Sequence, residues 1–337
     1  MIAALVLAAL LLYTWFGSVM RHLAFGSGVA RHRTEGLEEV LMLDNGVANK
    51  IAVVEVSGLI SSEPWDGSGL NIVEFVSKQL KMATADKQIK AVVLKVNSPG
   101  GEVMASDDIN QAITDFRKSS KKPIVASMGS LAASGGYYVS VPCEWIVAND
   151  LTITGSIGVI MPSYNYRKLL DKIGVRPDIY KSGKFKDMLS GSKSEEEILP
   201  EERKMIQALI DETYQRFKGV VREGREQAHA KNKKHGSREL DSQWEGLADG
   251  RILTGKQAYD SGFVDELGNF DAAVERAKSL ANISDANLIR YEHPFNLGNL
   301  FRLFGKAEKG NLKIDLGLEL PKLQAGHLYF LSSSILQ

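Results

Sequence analysis

One cysteine in 337 residues is the first constraint. Cys143 has no partner for a disulfide, and no cysteine cluster is available to hold a metal. Its place in the apolar run from Val139 to Val147 marks it as a small buried hydrophobe rather than a reactive thiol. Net charge is missing too. Lys plus Arg and Asp plus Glu stand at 41 each, so no global field points to nucleic acid or to acidic ligands. Self-similarity of solenoid length is absent, which excludes a repeat architecture. Histidine is absent from the middle of the chain: His22, His32, His229, His235, His293 and His327 all lie outside the strand-rich stretch Ile51 to Tyr180.

Charged side chains are lacking altogether from Met1 to Met20, which is dominated by Ala, Leu, Ile and Val. A helix needs roughly 20 such residues to cross a bilayer. Tyr13 and Trp15 lie toward its end, where amphipathic rings favour the interface. No basic leader precedes the run and no clean A-x-A site follows it, so it reads as an uncleaved transmembrane anchor rather than a signal peptide. Arg21, Arg31 and Arg33 follow the span and, taken alone, would hold the body of the protein in the cytoplasm. The expected division is an anchor over 1–20, a linker over 21–49, a main domain over 50–292 and a tail over 293–337. The Gly- and Leu-rich tail has no firm pattern and reads as an arm that packs on a neighbour.

What is present is alternation of short apolar runs with amphipathic stretches. A hydrophobic fraction of 44% is ample for a core. Strands are expected at Ile51–Val56, Ala91–Val96, Pro123–Met128 and Trp145–Ala148, with a brief one at Pro177–Tyr180. Helical spacing marks Asn71–Thr84, Ser106–Lys118, Tyr166–Ile173, a long helix from Pro200 to about Ala228, Gly255–Ser261 and Phe270–Ala281. This order predicts an α/β fold with parallel strands and flanking helices. The Glu-rich stretch Ser194–Lys204 and the basic run Lys231–His235 read as solvated surface.

The chain is organised around Gly129-Ser-Leu-Ala-Ala-Ser134-Gly-Gly-Tyr-Tyr138. Ser134 sits where a strand turns into a helix, beside Gly135 and Gly136. Small neighbours let a substrate backbone approach, and unpaired N–H groups at a helix start favour a developing negative charge. A tight packing turn explains the stretch equally well. As a nucleophile Ser134 would need a base. With no histidine in the strand-rich part, a Ser-His-Asp triad is poorly supported, and His229 and His235 are its remaining candidates. A lysine, of reference pKa about 10.4, serves only if its surroundings push it down. Ser182-Gly-Lys184-Phe-Lys186 offers two lysines on one side of an extended segment, and local pattern does not choose between them.

Five blocks occur in one order: Ser98-Pro-Gly-Gly101, Ala132-Ala-Ser134-Gly-Gly-Tyr137, Thr154-Gly-Ser156-Ile-Gly158, Ser182-Gly-Lys-Phe-Lys186-Asp187 and Gly250-Arg-Ile-Leu-Thr-Gly255. Together they resemble the short, single-domain form of the bacterial signal peptide peptidase A group in the S49 serine peptidase family, from about Ile51 to Ala281. The resemblance implies a crotonase-like α/β fold shared with the Clp protease subunit, and a serine–lysine dyad. Carried over block by block, Ser134 is the nucleophile and Lys186 the general base. Ser156 orients the lysine, Gly101 and Gly135 supply oxyanion-hole N–H groups, and Lys184 is an exposed bystander.

The implied activity is endoproteolysis of cleaved signal peptides or similar hydrophobic peptides, without metal or cofactor. The resemblance also implies single-pass membrane attachment with the catalytic domain outside the cytoplasm, and assembly into a homo-oligomeric ring. Two other functions fit the fold. One is a crotonase-type acyl-CoA hydratase or isomerase, for which Glu102 is the only acid beside the Gly100-Gly101 turn. The other is an inactive peptide-binding scaffold, which would need neither Ser134 nor Lys186.

Overall fold

Strands that are apolar on both faces need cover on both faces, and the chain supplies it with helices. The computed structural model describes residues 33–34, 36–64, 70–293, 323 and 326–332. It opens with strands β1 (Arg33–Thr34), β2 (Leu37–Leu43) and β3 (Lys50–Ser57), then helix α1 (Ile72–Ala85) and strands β4 (Ile89–Ser98) and β5 (Gly100–Glu102). Helix α2 (Val103–Ser120), β6 (Ile124–Ala132), α3 (Gly135–Ser140), β7 (Trp145–Ala148) and β8 (Ile153–Gly155) follow. After α4 (Arg167–Lys172) comes the long α5 (Pro200–Asn232), then β9 (Ile252–Thr254), α6 (Gly255–Asp260) and β10 (Glu266–Leu267). Helix α7 (Phe270–Leu280), β11 (Asn287–Glu292) and β12 (Tyr329–Leu331) complete it.

The main sheet has the order β1-β2-β11-β3-β4-β6-β7-β10. Every pairing from β11 to β10 is parallel, while β2 runs antiparallel to β11. Side chains divide with period two. In β4, Val92, Leu94 and Val96 join the larger core, while Ala91 and Val93 join the smaller one. Helices α1, α2 and α3, with Phe217 and Val221 of α5, belong to the larger core. Ala273, Val274 and Ala277 of α7 belong to the smaller. Each fully buried Val, Leu or Ile contributes about 1.5–3 kcal/mol, and these residues fill whole strands. Helix starts are set locally. The Asn71 and Asn269 side chains accept from the backbone N–H of Glu74 and Ala272 at 2.9 and 3.1 Å, and Pro200 occupies the first turn of α5.

Three stretches differ from the sequence expectation. Leu37–Leu43, read as linker, is a sheet strand; only Leu37 is fully buried, so it shows little alternation. No strand forms at Pro177–Tyr180, where all but Pro177 is exposed and no neighbouring strand offers a ladder. The end of the tail packs on its own chain: β12 pairs antiparallel with β5. The anchor expected over 1–20 lies outside the described residues, and among those described no helix is long and apolar enough to cross a membrane.

Candidate active site

The turn after β6 is where distant blocks meet. Ser134 caps α3 with φ +54° and ψ −115°, a region that costs a non-glycine residue strain. Its neighbours fix it. The Ser134 N–H donates to Gly155 O at 2.8 Å, the Ala133 N–H to Ser98 O at 3.1 Å, and Thr154 Oγ1 to Ala132 O at 2.6 Å. One residue on, the Ser156 N–H donates to Arg251 O at 2.7 Å. Four of the five sequence blocks therefore converge here. The fifth, 182–187, does not.

Gly101 and Gly135 also come together. A Cβ on Gly135 would sit 3.1 Å from Gly101 N and 2.7 Å from Ser106 Oγ, and one on Gly100 would sit 2.6 Å from Gly135 N. A methyl group has no room at these crossings, which is the physical reason for glycine there. The Gly135 N–H makes no hydrogen bond among the described residues, and Ser134 Oγ is buried without a partner. A free amide beside an unpartnered hydroxyl is what acyl chemistry requires.

Alongside runs a slot that holds an extended chain. Phe330 stands opposite Gly101 in the β5–β12 pair. On the other side Tyr329 exchanges both backbone hydrogen bonds with Ile160, at 2.9 and 3.1 Å. The Phe330 ring lies 4.8 Å from that of Tyr138 and 4.6 Å from that of Phe217. Leu331 lines a hollow of about 490 Å³ with Ser156, Ile157, Val159, Ile160 and Tyr214. Sequence reading missed these tail residues. Their only signal is the short β-forming run Leu328-Tyr-Phe-Leu331.

The predicted bases lie elsewhere. Lys186 is exposed in the turn after Gly183, and its Nζ has no hydrogen bond or ion pair among the described residues. Lys184 is exposed, as expected, and pairs with Glu201 at 3.1 Å. His229 Nδ1 lies 3.0 Å from Ser237 O and His235 is exposed in a 3-10 turn; neither touches Ser134. Ser156 is 5% exposed at φ +50°, one residue past the carbonyl that holds Ser134. Glu102 is occupied: it accepts from Ser61 Oγ at 2.9 Å, Ser62 Oγ at 2.6 Å and the Ser62 N–H at 3.0 Å. Burial works against its charge, but these hydrogen bonds prevail and hold its carboxyl below the usual range. Among the described residues no group of His, Cys, Asp and Glu could hold a metal.

Parallel sheet, strained serine and strand-shaped slot together make a mixed α/β protein with a buried serine at a strand–helix turn. Comparison with known proteins gives this fold a family and, with it, the serine-type protease class. The model of peptidase family S49 matches residues 116–284, and that of Clp protease matches residues 68–142. A Synechocystis sp. protein named as protease slr0021 is 40% identical over 69% of this chain and 75% of its own. The Enterococcus faecium protein named as signal peptide peptidase SppA is 38% identical over 74% of this chain and 70% of its own. Protease 4 of Haemophilus influenzae is 35% identical over 70% of this chain and 35% of its own. The chain belongs to peptidase family S49.

Proposed function

We propose that this protein is a membrane-attached serine endopeptidase that degrades released signal peptides and similar hydrophobic peptides through a Ser134–Lys186 dyad. The observation that carries the reading is the slot beside Ser134, which already accepts an extended apolar segment, Tyr329–Leu331, through backbone hydrogen bonds and buried side chains. A substrate strand bound there would lay its carbonyl toward the serine with no demand on side-chain sequence except apolarity. The tied-up Glu102 favours this reading over the thioester one.

In the proposed reaction the neutral Lys186 amine takes the Ser134 proton as Oγ attacks the peptide carbonyl. The Gly101 and Gly135 amides hold the oxyanion, and the protonated lysine then gives its proton to the leaving amine. Water, activated by the same lysine, releases the acyl group and restores Ser134. The Ser156 hydroxyl orients the lysine.

A buried Ser134 and an exposed Lys186 support completion of the dyad between copies. Tyr164, Leu169, Ile173 and Tyr180, on the segment that carries Lys186, are 67%, 59%, 63% and 91% exposed, an apolar surface suited to a second copy of this chain. A ring in which each copy serves its neighbour fits both features, and attachment to a membrane would bring it to peptides left in the bilayer.

The test is hydrolysis of a hydrophobic fluorogenic peptide by the full chain in detergent. Ser134→Ala and Lys186→Ala should each lose at least about a thousandfold in kcat, while Lys184→Ala keeps its activity. Substantial activity in Lys186→Ala would remove the lysine from the mechanism.

A further inference from the structure

The segment that carries Lys186 has almost nothing to hold it. From Gly158 to Gly191 no residue is buried, and α4 within it contributes no core side chain. A general base has to stand within a fraction of an ångström of its working position. Something other than packing must locate it.

That something is an ion-pair chain rooted in α5. Glu202, in the first turn of α5, is 2% exposed, and its Oε1 lies 2.6 Å from Lys193 Nζ, which is 5% exposed. Lys193 Nζ also reaches Asp187 Oδ1 at 3.5 Å, and Lys181 Nζ binds both Asp187 oxygens at 2.8 Å. Farther along, α5 is buried at Phe217, Val221 and Arg225, so the chain of contacts runs from the core to the residue next to Lys186. Burial opposes the charge on Lys193, but the hydrogen bond and charge of Glu202, with help from Asp187, outweigh it and raise its pKa. The Lys181 hydrogen bond holds the Asp187 carboxyl below the usual range.

We propose that Asp187, Lys193 and Glu202 are a positioning unit for Lys186, which fixes the turn that bears the base and keeps the charge beside it balanced. The inference rests on the reading of Lys186 as the base. Lys181 and Lys193 offset Asp187 and Glu202. Around them Lys184 pairs with Glu201 at 3.1 Å, Arg167 with Asp171 at 2.9 Å and with Glu197 at 3.5 Å, and Asp178 accepts from Tyr180 at 2.9 Å. An excess negative charge in this setting makes a nearby amine hold its proton more firmly, and an excess positive charge makes it release the proton sooner.

The experiment is the pH profile of kcat for the full chain in detergent with a hydrophobic fluorogenic peptide. Removing one cation, in Lys193→Met, should move the ascending limb to higher pH by on the order of half a unit. Asp187→Asn should move it to lower pH by a similar amount. Both should reduce kcat with KM little changed, and Asp187→Glu should return the limb toward its original place. Lys193→Met leaves Glu202 buried without a partner. Should it fail to fold, Lys193→Met/Glu202→Leu replaces it, with the limb expected near the wild-type position and kcat still reduced. Shifts that are absent, or of one sign in both Lys193→Met and Asp187→Asn, overturn the proposal. So does a Lys193→Met/Glu202→Leu protein with wild-type kcat. Lys186→Ala separates the two failures: if it is inactive while the limb stays fixed, only the positioning unit falls, and if it is active, the reading of the base falls as well.

Discussion

A hydroxyl sealed from water without a partner costs about 1–3 kcal/mol, and Ser134 carries that cost on a backbone already at positive φ. In the proposed nucleophile, reactivity and stability would therefore be opposed. Ser134→Ala should abolish peptide hydrolysis and raise unfolding stability by about 1 kcal/mol, read from urea denaturation. Ser134→Gly, which also relieves the φ strain, should gain somewhat more. A loss of stability in both variants would mean that the hydroxyl is engaged after all. Asp265 is the opposite case. It meets Arg225 at 2.6 and 2.9 Å, both side chains wholly buried, and also accepts from Ile146 N–H, Ser237 Oγ and Arg238 N–H. Arg225→Met strands that carboxylate in the interior and should cost about 3–5 kcal/mol. Arg225→Met/Asp265→Leu should recover part of the loss, and a double variant no better than the single would show that the other donors to Asp265 matter more than the arginine.

At the scale of elements, β12 is the piece with consequences. It sits in the slot proposed for substrate, where its tether would make it a competitor present at high effective concentration. Phe330→Ala removes the ring that stacks on Tyr138 and packs at a tilt against Phe217, so the strand should leave more readily. The expected result is a several-fold lower KM for peptides with kcat little changed; an unchanged or higher KM would show that the strand is a fixed wall of the site.

The same element marks the limit of what the sequence discloses. Strands β3, β4, β6 and β7 are legible because burial on both faces leaves unbroken apolar runs, and α1 and α7 because one buried stripe recurs every three or four residues. The turn at Ser134 is legible because crossing backbones leave room only for glycine. Strand β2 hides because its residues are mostly half-exposed, and β12 hides because three residues carry no period. The slot is invisible for a further reason: its walls, Gly101 and Ile160, belong to separate stretches and meet β12 through main-chain atoms, which leave no mark in side-chain pattern. The distance from Ser134 to Lys186 is likewise a matter of tertiary placement that spacing along the chain does not encode.

For the whole molecule, the proposed dyad raises the question of which copy would supply its base. Ser134 is fully buried against β8, while Lys186 stands in solvent on a segment with exposed Tyr164, Leu169, Ile173 and Tyr180. Under that proposal, either the segment swings in over its own serine, or it reaches the serine of a second copy. The two routes make different predictions for mixtures. Ser134→Ala and Lys186→Ala chains, each inactive alone, can be co-expressed with different tags and purified through both. If the dyad forms between copies, random neighbours in a closed ring place an intact lysine beside an intact serine at about a quarter of the sites, and about that fraction of wild-type activity should return. If the dyad forms within one copy, the mixed assembly stays inactive. An inactive mixture that elutes as a single doubly tagged oligomer would refute the shared site, since every opportunity for pairing was then present. Return of activity would assign the exposed lysine its serine, and would make assembly a condition of catalysis rather than an accompaniment to it.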